Sequence, residues 1–164
     1  MTEYQRLFLV QARSDFAVFE LLRRDPNLPR CHALHYLQMS TELLAKAHAW
    51  RNPPRPYTHS GFVSFLRSLS TNRDAQDRLG LKGKNDNWMQ WIRKSASVAA
   101  RIEALAPSLA GDAPNPEYPW PRAAPQAAPA EYSFPIWQEL QETVGGRKFL
   151  DLIARLLLAA DAFL

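Results

Sequence analysis

A chain of 164 residues with a net charge of +4 and one cysteine, Cys31, suits a single domain, residues 1–164, that buries a core without covalent or metal staples. The lone thiol excludes an internal disulfide and any site built from several thiolates, and it fits a reducing compartment. An aromatic content of 11% excludes a disordered chain.

The first segment, TEYQRLFLVQARSDFAVFELLRRD, has apolar residues at helical spacing. Leu7, Val10, Ala17 and Leu21 form the stripe predicted to face the core, widened by Phe8, Phe16 and Phe19. Glu3 and Arg6 stand where a secretory leader needs an unbroken apolar run, and this predicts a cytoplasmic protein. Pro26 and Pro29 end the first helix. A second helix is predicted from Pro29 or Arg30 to about Trp50. Pro53, Pro54 and Pro56 then forbid helix through RNPPRPYTHS.

A third helix is predicted over 61–70, with Phe62, Phe65, Leu66 and Leu69 inward. After the basic connection RLGLKGKND, Asp86 or Asn87 is placed to cap a fourth helix through Leu105. Eight prolines fall in residues 106–135 beside Tyr118, Trp120, Tyr132 and Phe134. A plain linker does not use aromatics in this way, so an ordered strap over the bundle is predicted, with a mobile tip at RAAPQAAPA. A short turn at IWQELQET precedes a last helix from Gly145 or Gly146 to Ala162, its Phe149, Ile153, Leu156, Leu157 and Ala160 inward. Asp151, Arg155 and Asp161 interrupt that run well short of a membrane span. No strand-period segment or repeat occurs. The fold class is all-α, a bundle of about five main helices.

On the second helix, His35, Gln38, Glu42 and Lys46 fall within roughly an 80° sector. Leu34, Leu37, Thr41, Leu44 and Ala45 lie to one side, and Met39, Leu43 and Trp50 to the other. Glu42 and Lys46 suit an i,i+4 pair, and Gln38 is within reach of His35 or Glu42. A narrow polar seam between apolar flanks predicts a partly buried hydrogen-bonded network where helices meet, with a ligand or partner site as the alternative.

These residues resemble the HEPN family of helical bundles, which carry a helix of the form aromatic-x-Gln-x-x-x-Glu-x-x-x-Lys-Ala. Tyr36, Gln38, Glu42, Lys46 and Ala47 match it, Thr58-His59 opens the next helix, and ARSDFAVFELL around Asp15 is similar to the family's first helix. The likeness covers residues 5–70 and, more loosely, 87–105; the strap is an elaboration. It implies either a metal-independent ribonuclease acting as a dimer or a binding subunit that has lost the activity. The family's late Arg-x4–6-His motif has no counterpart, because no histidine follows His59. Two strings imitate it: Arg30 to His35, placed too early, and Arg55 to His59, one residue short. Either pair would put a general base beside a cation that stabilises phosphorane-like charge.

Between Arg67 and Arg101 there are eight Lys or Arg against three Asp, a surplus of five in a chain of net +4. Arg78, Lys82, Lys84, Arg93, Lys94 and Arg101 are the candidate nucleic-acid contacts there. Trp88 and Trp91 would stack bases beside them, although a core position is the preferred reading for both. His32, His35, His48 and His59 lack acidic partners at ligand spacing, so no metal is expected. The glycines of GLKGKN lack the spacing and hydroxyl of a phosphate loop, no G-x-S-x-G occurs, and no cofactor is implied. The preferred function is a non-catalytic binding or regulatory subunit in a bacterial defence or toxin–antitoxin assembly. It would join a protein partner or a second copy, with RNA or nucleotide contact through the basic segment and no membrane. The alternatives are an active HEPN ribonuclease toxin and a structural oligomerisation module whose seam makes the dimer.

Overall fold

A computed structural model describes residues 1–50, 59–120, 126–162 and 164. Among the described residues the chain is all-helical and forms a bundle without strands. The helices are α1 (Glu3–Leu22), α2 (Arg30–Ala49), α3 (Phe62–Leu69), α4 (Arg73–Arg78), α5 (Asn85–Glu103), α6 (Pro107–Ala110), α7 (Pro135–Glu142) and α8 (Val144–Ala159), with 3-10 turns at Pro129–Glu131 and Ala160–Ala162. None is long and apolar enough to cross a membrane. Arg55 and the rest of 51–58 lie outside the described residues, as does part of the tip expected at 122–130. In the described remainder of that tip Pro129 is buried in a 3-10 turn, while Gln126 and Ala130 are exposed.

Helix α2 is the central rod, with twelve of its twenty residues buried. It packs along α1 and meets α3, α5 and the strap's 3-10 turn at Pro129–Glu131. Helix α1 begins with a reciprocal cap: the Gln5 amide donates to Thr2 Oγ1 at 3.2 Å, and the Thr2 amide donates to Gln5 Oε1 at 2.7 Å. Gln5 Nε2 also donates to the Ala47 carbonyl at 3.0 Å, and Ser40 Oγ to the Ala12 carbonyl at 2.8 Å. These bonds fix the sliding register of the two helices, which apolar contact alone leaves loose.

The face that α1 buries is not the one its apolar spacing predicts. Leu7 and Val10 are each 50% exposed and Leu21 is 69% exposed. The inward face carries Gln5, Leu9, Ala12, Asp15 and Phe19 instead. Apolar residues line both sides of this helix, so periodicity is ambiguous. Buried polar bonds to α2 decide between the faces: Gln5 to the Ala47 carbonyl, and Ser40 to the Ala12 carbonyl.

Helix α3 turns Phe62, Phe65, Leu66 and Leu69 inward as predicted. The N-cap of α5 falls two or three residues before the expected Asp86 or Asn87. Lys84 is the N-cap, and Asp86 lies in the first turn, where its charge suits the helix dipole. The helix ends at Glu103 rather than Leu105. Helix α8 closes the bundle with Phe149, Leu152, Ile153, Leu156 and Leu157 buried. The strap packs as an element of the core: Trp120 is buried and meets Tyr132 and Phe134 edge to face at 5.4 and 6.2 Å.

Candidate functional site

The seam on α2 closes around one carboxylate. Glu42 is 5% exposed. Lys46 Nζ donates to its Oε1 at 2.6 Å, and Gln38 Nε2 donates to its Oε2 at 2.8 Å. Both partners stand one turn away on the same helix, as the spacing requires. The third partner comes from afar. His59 Nδ1 lies 2.9 Å from Glu42 Oε2, and since a carboxylate only accepts, Nδ1 carries the proton. Burial pushes the Glu42 carboxyl up, but the bonds from Lys46, His59 and Gln38, with the Lys46 charge, outweigh it and hold the carboxyl below its ordinary range.

His59 is positioned by the start of α3. Gly61, at φ +140°, makes a turn closed to other residues. Its amide and that of Val63 both donate to Glu103 Oε2 at 3.1 Å. A carboxylate from the end of α5 thus satisfies donors that α3's own sequence leaves uncapped. The result is a half-exposed imidazole oriented through Nδ1 by a buried carboxylate, a geometry able to act as a general base.

His35 does not join this network. Its Nδ1 lies 3.3 Å from Glu117 Oε1, on the strap. Asp15, 6% exposed on the facing helix, accepts a hydrogen bond from Gln11 Nε2 at 2.8 Å. Burial pushes the Asp15 carboxyl up, opposed by the Gln11 bond and by the charge of nearby His35. Arg30 stays apart from His35: its guanidinium donates to the Asp25 carbonyl at 3.1 Å and stacks over Trp137 at 5.1 Å. At five residues' separation the two side chains leave α2 about 140° apart. The partner of His59 in the other motif-like string, Arg55, lies outside the described residues.

The candidate nucleic-acid residues are spread rather than gathered. Arg78, Lys82, Lys84 and Arg93 are exposed along the α4–α5 turn and α5, and Arg101 pairs with Glu139 of α7. Lys94 lines a cleft, facing Lys148 and Arg155 of α8, and Arg93 borders a separate, shallower hollow beside it with Asp86 and Met89. The two tryptophans divide. Trp88 is buried and donates to the Leu69 carbonyl at 3.1 Å, while Trp91 is half-buried at the cleft. Among the described residues no three His, Cys, Asp or Glu side chains converge as a metal site would need.

Sequence reasoning missed Glu103, Glu117, Lys148 and Arg155 as neighbours of these groups. None carries a local signal, because each meets its partner across a long loop or a helix pair. Comparison with family models, with curated proteins and with solved structures gave no match to this chain.

Proposed function

We propose that this chain is a non-catalytic, HEPN-like binding subunit, of the kind that serves bacterial defence or toxin–antitoxin assemblies, and that it meets a protein partner through the outer face of α1. RNA or nucleotide contact falls to the basic segment. The observation that carries the reading is the outer strip Leu7, Val10, Ala17 and Leu21, exposed on a helix already buried along its opposite side. With Ser14 it follows a three-four spacing, the pattern of a helix seam that wants a partner. Contiguous apolar surface of this kind marks interaction sites. A second copy is the simplest occupant. An antiparallel two-fold pairing about Ser14 sets Leu7 against Leu21 of the other molecule, brings Val10 close to its Ala17, and opposes the helix dipoles.

Light scattering of the purified chain tests this. Concentration-dependent dimers are expected, converted to monomers by Leu7→Glu with Leu21→Glu while helical content is retained. A wild-type chain that stays monomeric at high concentration overturns the two-fold pairing.

One observation favours the ribonuclease reading instead: the Glu42–His59 dyad, whose imidazole is 48% exposed. Incubation with single-stranded RNA in chelator separates the two. No cleavage is expected, and cleavage abolished by His59→Ala or His35→Ala would replace the binding role with a catalytic one.

A further inference from the structure

A cleft of about 390 Å³ opens between α5 and α8, within the range of small-ligand sites. Asn87, Gln90, Trp91 and Lys94 lie along one side of α5, and Lys148, Asp151 and Arg155 face them from α8. Both sets follow helical spacing, so each wall is a continuous strip. The turn at Gly80, with φ +78°, closes one end.

Part of the wall is already fixed. Arg155 Nε donates to both carboxylate oxygens of Asp151 at 3.0 and 3.1 Å, and its Nη1 donates to the Leu79 carbonyl at 3.4 Å. Its guanidinium lies 5.7 Å from the Trp91 ring centre, and Trp91 Nε1 donates to the Lys148 carbonyl at 2.9 Å. The guanidinium thus sits over one face of the indole, and the two side chains hold each other in place, which lowers the ordering cost of binding.

The lysines differ from the arginine. Neither the Lys94 nor the Lys148 ammonium has an ion pair or hydrogen bond among the described residues, although both line the cleft. Asp151 neutralises Arg155, so the lysines leave the cleft with two uncompensated positive charges. Paired ammonium groups suit a phosphate. The Asn87 and Gln90 carboxamides offer donors and acceptors to a base edge, and an aromatic wall suits a base face. A bare anion would leave the aromatic and amide wall unused.

We propose that this cleft binds a nucleoside monophosphate, either free or as the terminal residue of a single-stranded RNA. The phosphate lies between Lys94 and Lys148, and the base packs along Trp91 and Arg155. The proposal names the ligand for the nucleotide contact in the reading above and rests on that part of it alone.

Isothermal titration of the intact chain tests it with AMP, CMP, inorganic phosphate and a 5′-phosphorylated RNA pentamer. Saturable 1:1 binding of a mononucleotide or the pentamer is expected, weakened about tenfold by Lys94→Gln and by Lys148→Gln. Arg93→Gln removes the same charge from α5 outside the cleft and is expected to change affinity less than twofold. A pentamer binding more than tenfold tighter than AMP identifies the strand end as the source, and equal affinities identify the free nucleotide. The proposal is overturned if no nucleotide saturates at millimolar concentration, if phosphate alone binds as well as AMP, or if Arg93→Gln weakens binding as much as Lys94→Gln. Failure here leaves the α1 partner surface standing, and a monomeric chain in light scattering leaves the cleft standing.

Discussion

Glu42 accepts from three side chains while almost wholly buried, so its removal strands more than itself. Glu42→Ala leaves the carboxamide of Gln38, 1% exposed, without its acceptor and removes the buried carboxylate that faces Lys46 and His59. Breaking one side of a buried charged network costs about 3 kcal/mol. A urea titration should show the midpoint falling with the slope unchanged. The network also sets an acid limb. Folding holds the Glu42 carboxyl below its ordinary 4.5, so the native chain binds fewer protons there than the unfolded chain. This stabilisation is complete above that pH and is lost as pH falls through the lower native value. Glu42→Gln should therefore lower stability at neutral pH and make the loss between neutral and acid pH shallower than in the parent chain. Two of the three partners were readable, because Gln38 and Lys46 stand at i−4 and i+4. His35 shares their sector by spacing but turns to Glu117, and His59 arrives from beyond a proline-rich stretch of sequence. Periodicity reports what shares a face, and says nothing about what a distant segment brings to it.

Helix boundaries were legible where proline or glycine punctuates the chain, as at Pro29 and at the pair Gly145-Gly146. The two glycines are not equivalent. A Cβ on Gly146 would sit 2.1 Å from the Glu139 carbonyl oxygen and 2.5 Å from the Leu140 Cα, where α7 and α8 touch backbone to backbone. A Cβ on Gly145 meets only Thr143 Oγ1, at 3.7 Å. Thr143 holds this corner, its hydroxyl donating to the Glu139 carbonyl at 2.8 Å and accepting from the Gly146 amide at 2.9 Å. Gly146→Ala should therefore cost about 3 kcal/mol by forcing the two backbones apart. Gly145→Ala, inside the first turn of α8, should be neutral or stabilising by up to about 1 kcal/mol. Thermal unfolding of the two variants side by side checks this, and equal effects would mean the corner is not a close approach. What the sequence hid at this scale was α4. RDAQDR has no apolar stripe, and its N-cap, Asn72 Oδ1 accepting from the Ala75 amide at 3.0 Å, is visible only once the helix is known. The buried face of α1 was hidden for the opposite reason, since that helix has apolar residues on both sides.

For the whole molecule, the deciding question is whether residues 106–135 belong to the core or lie on it as a removable cover. Composition argued for an ordered strap over the bundle, because aromatics among prolines have no use in a solvated linker, and the burial of Trp120, 2% exposed, argues further for the core. Polar contacts agree with the packing. Asn115, also buried, accepts from the amides of Glu117 and Tyr118 at 3.1 and 2.9 Å, a local turn that aims Glu117 at His35 on the central helix. The strap thus has a buried aromatic cluster of its own, Trp120, Tyr132 and Phe134, and at another point Glu117 meets His35 on the helix that carries the seam. Trp120→Ala should cost about 3–5 kcal/mol. A removable cover and a core element respond differently to that loss. A cover would detach first, so circular dichroism would retain the bundle's helical signal after the aromatic near-ultraviolet signal had gone. If the strap is part of the core, both signals should fall together in one transition at a lower temperature. Non-coincident curves in the variant would mean that the bundle around Glu42 stands without the strap.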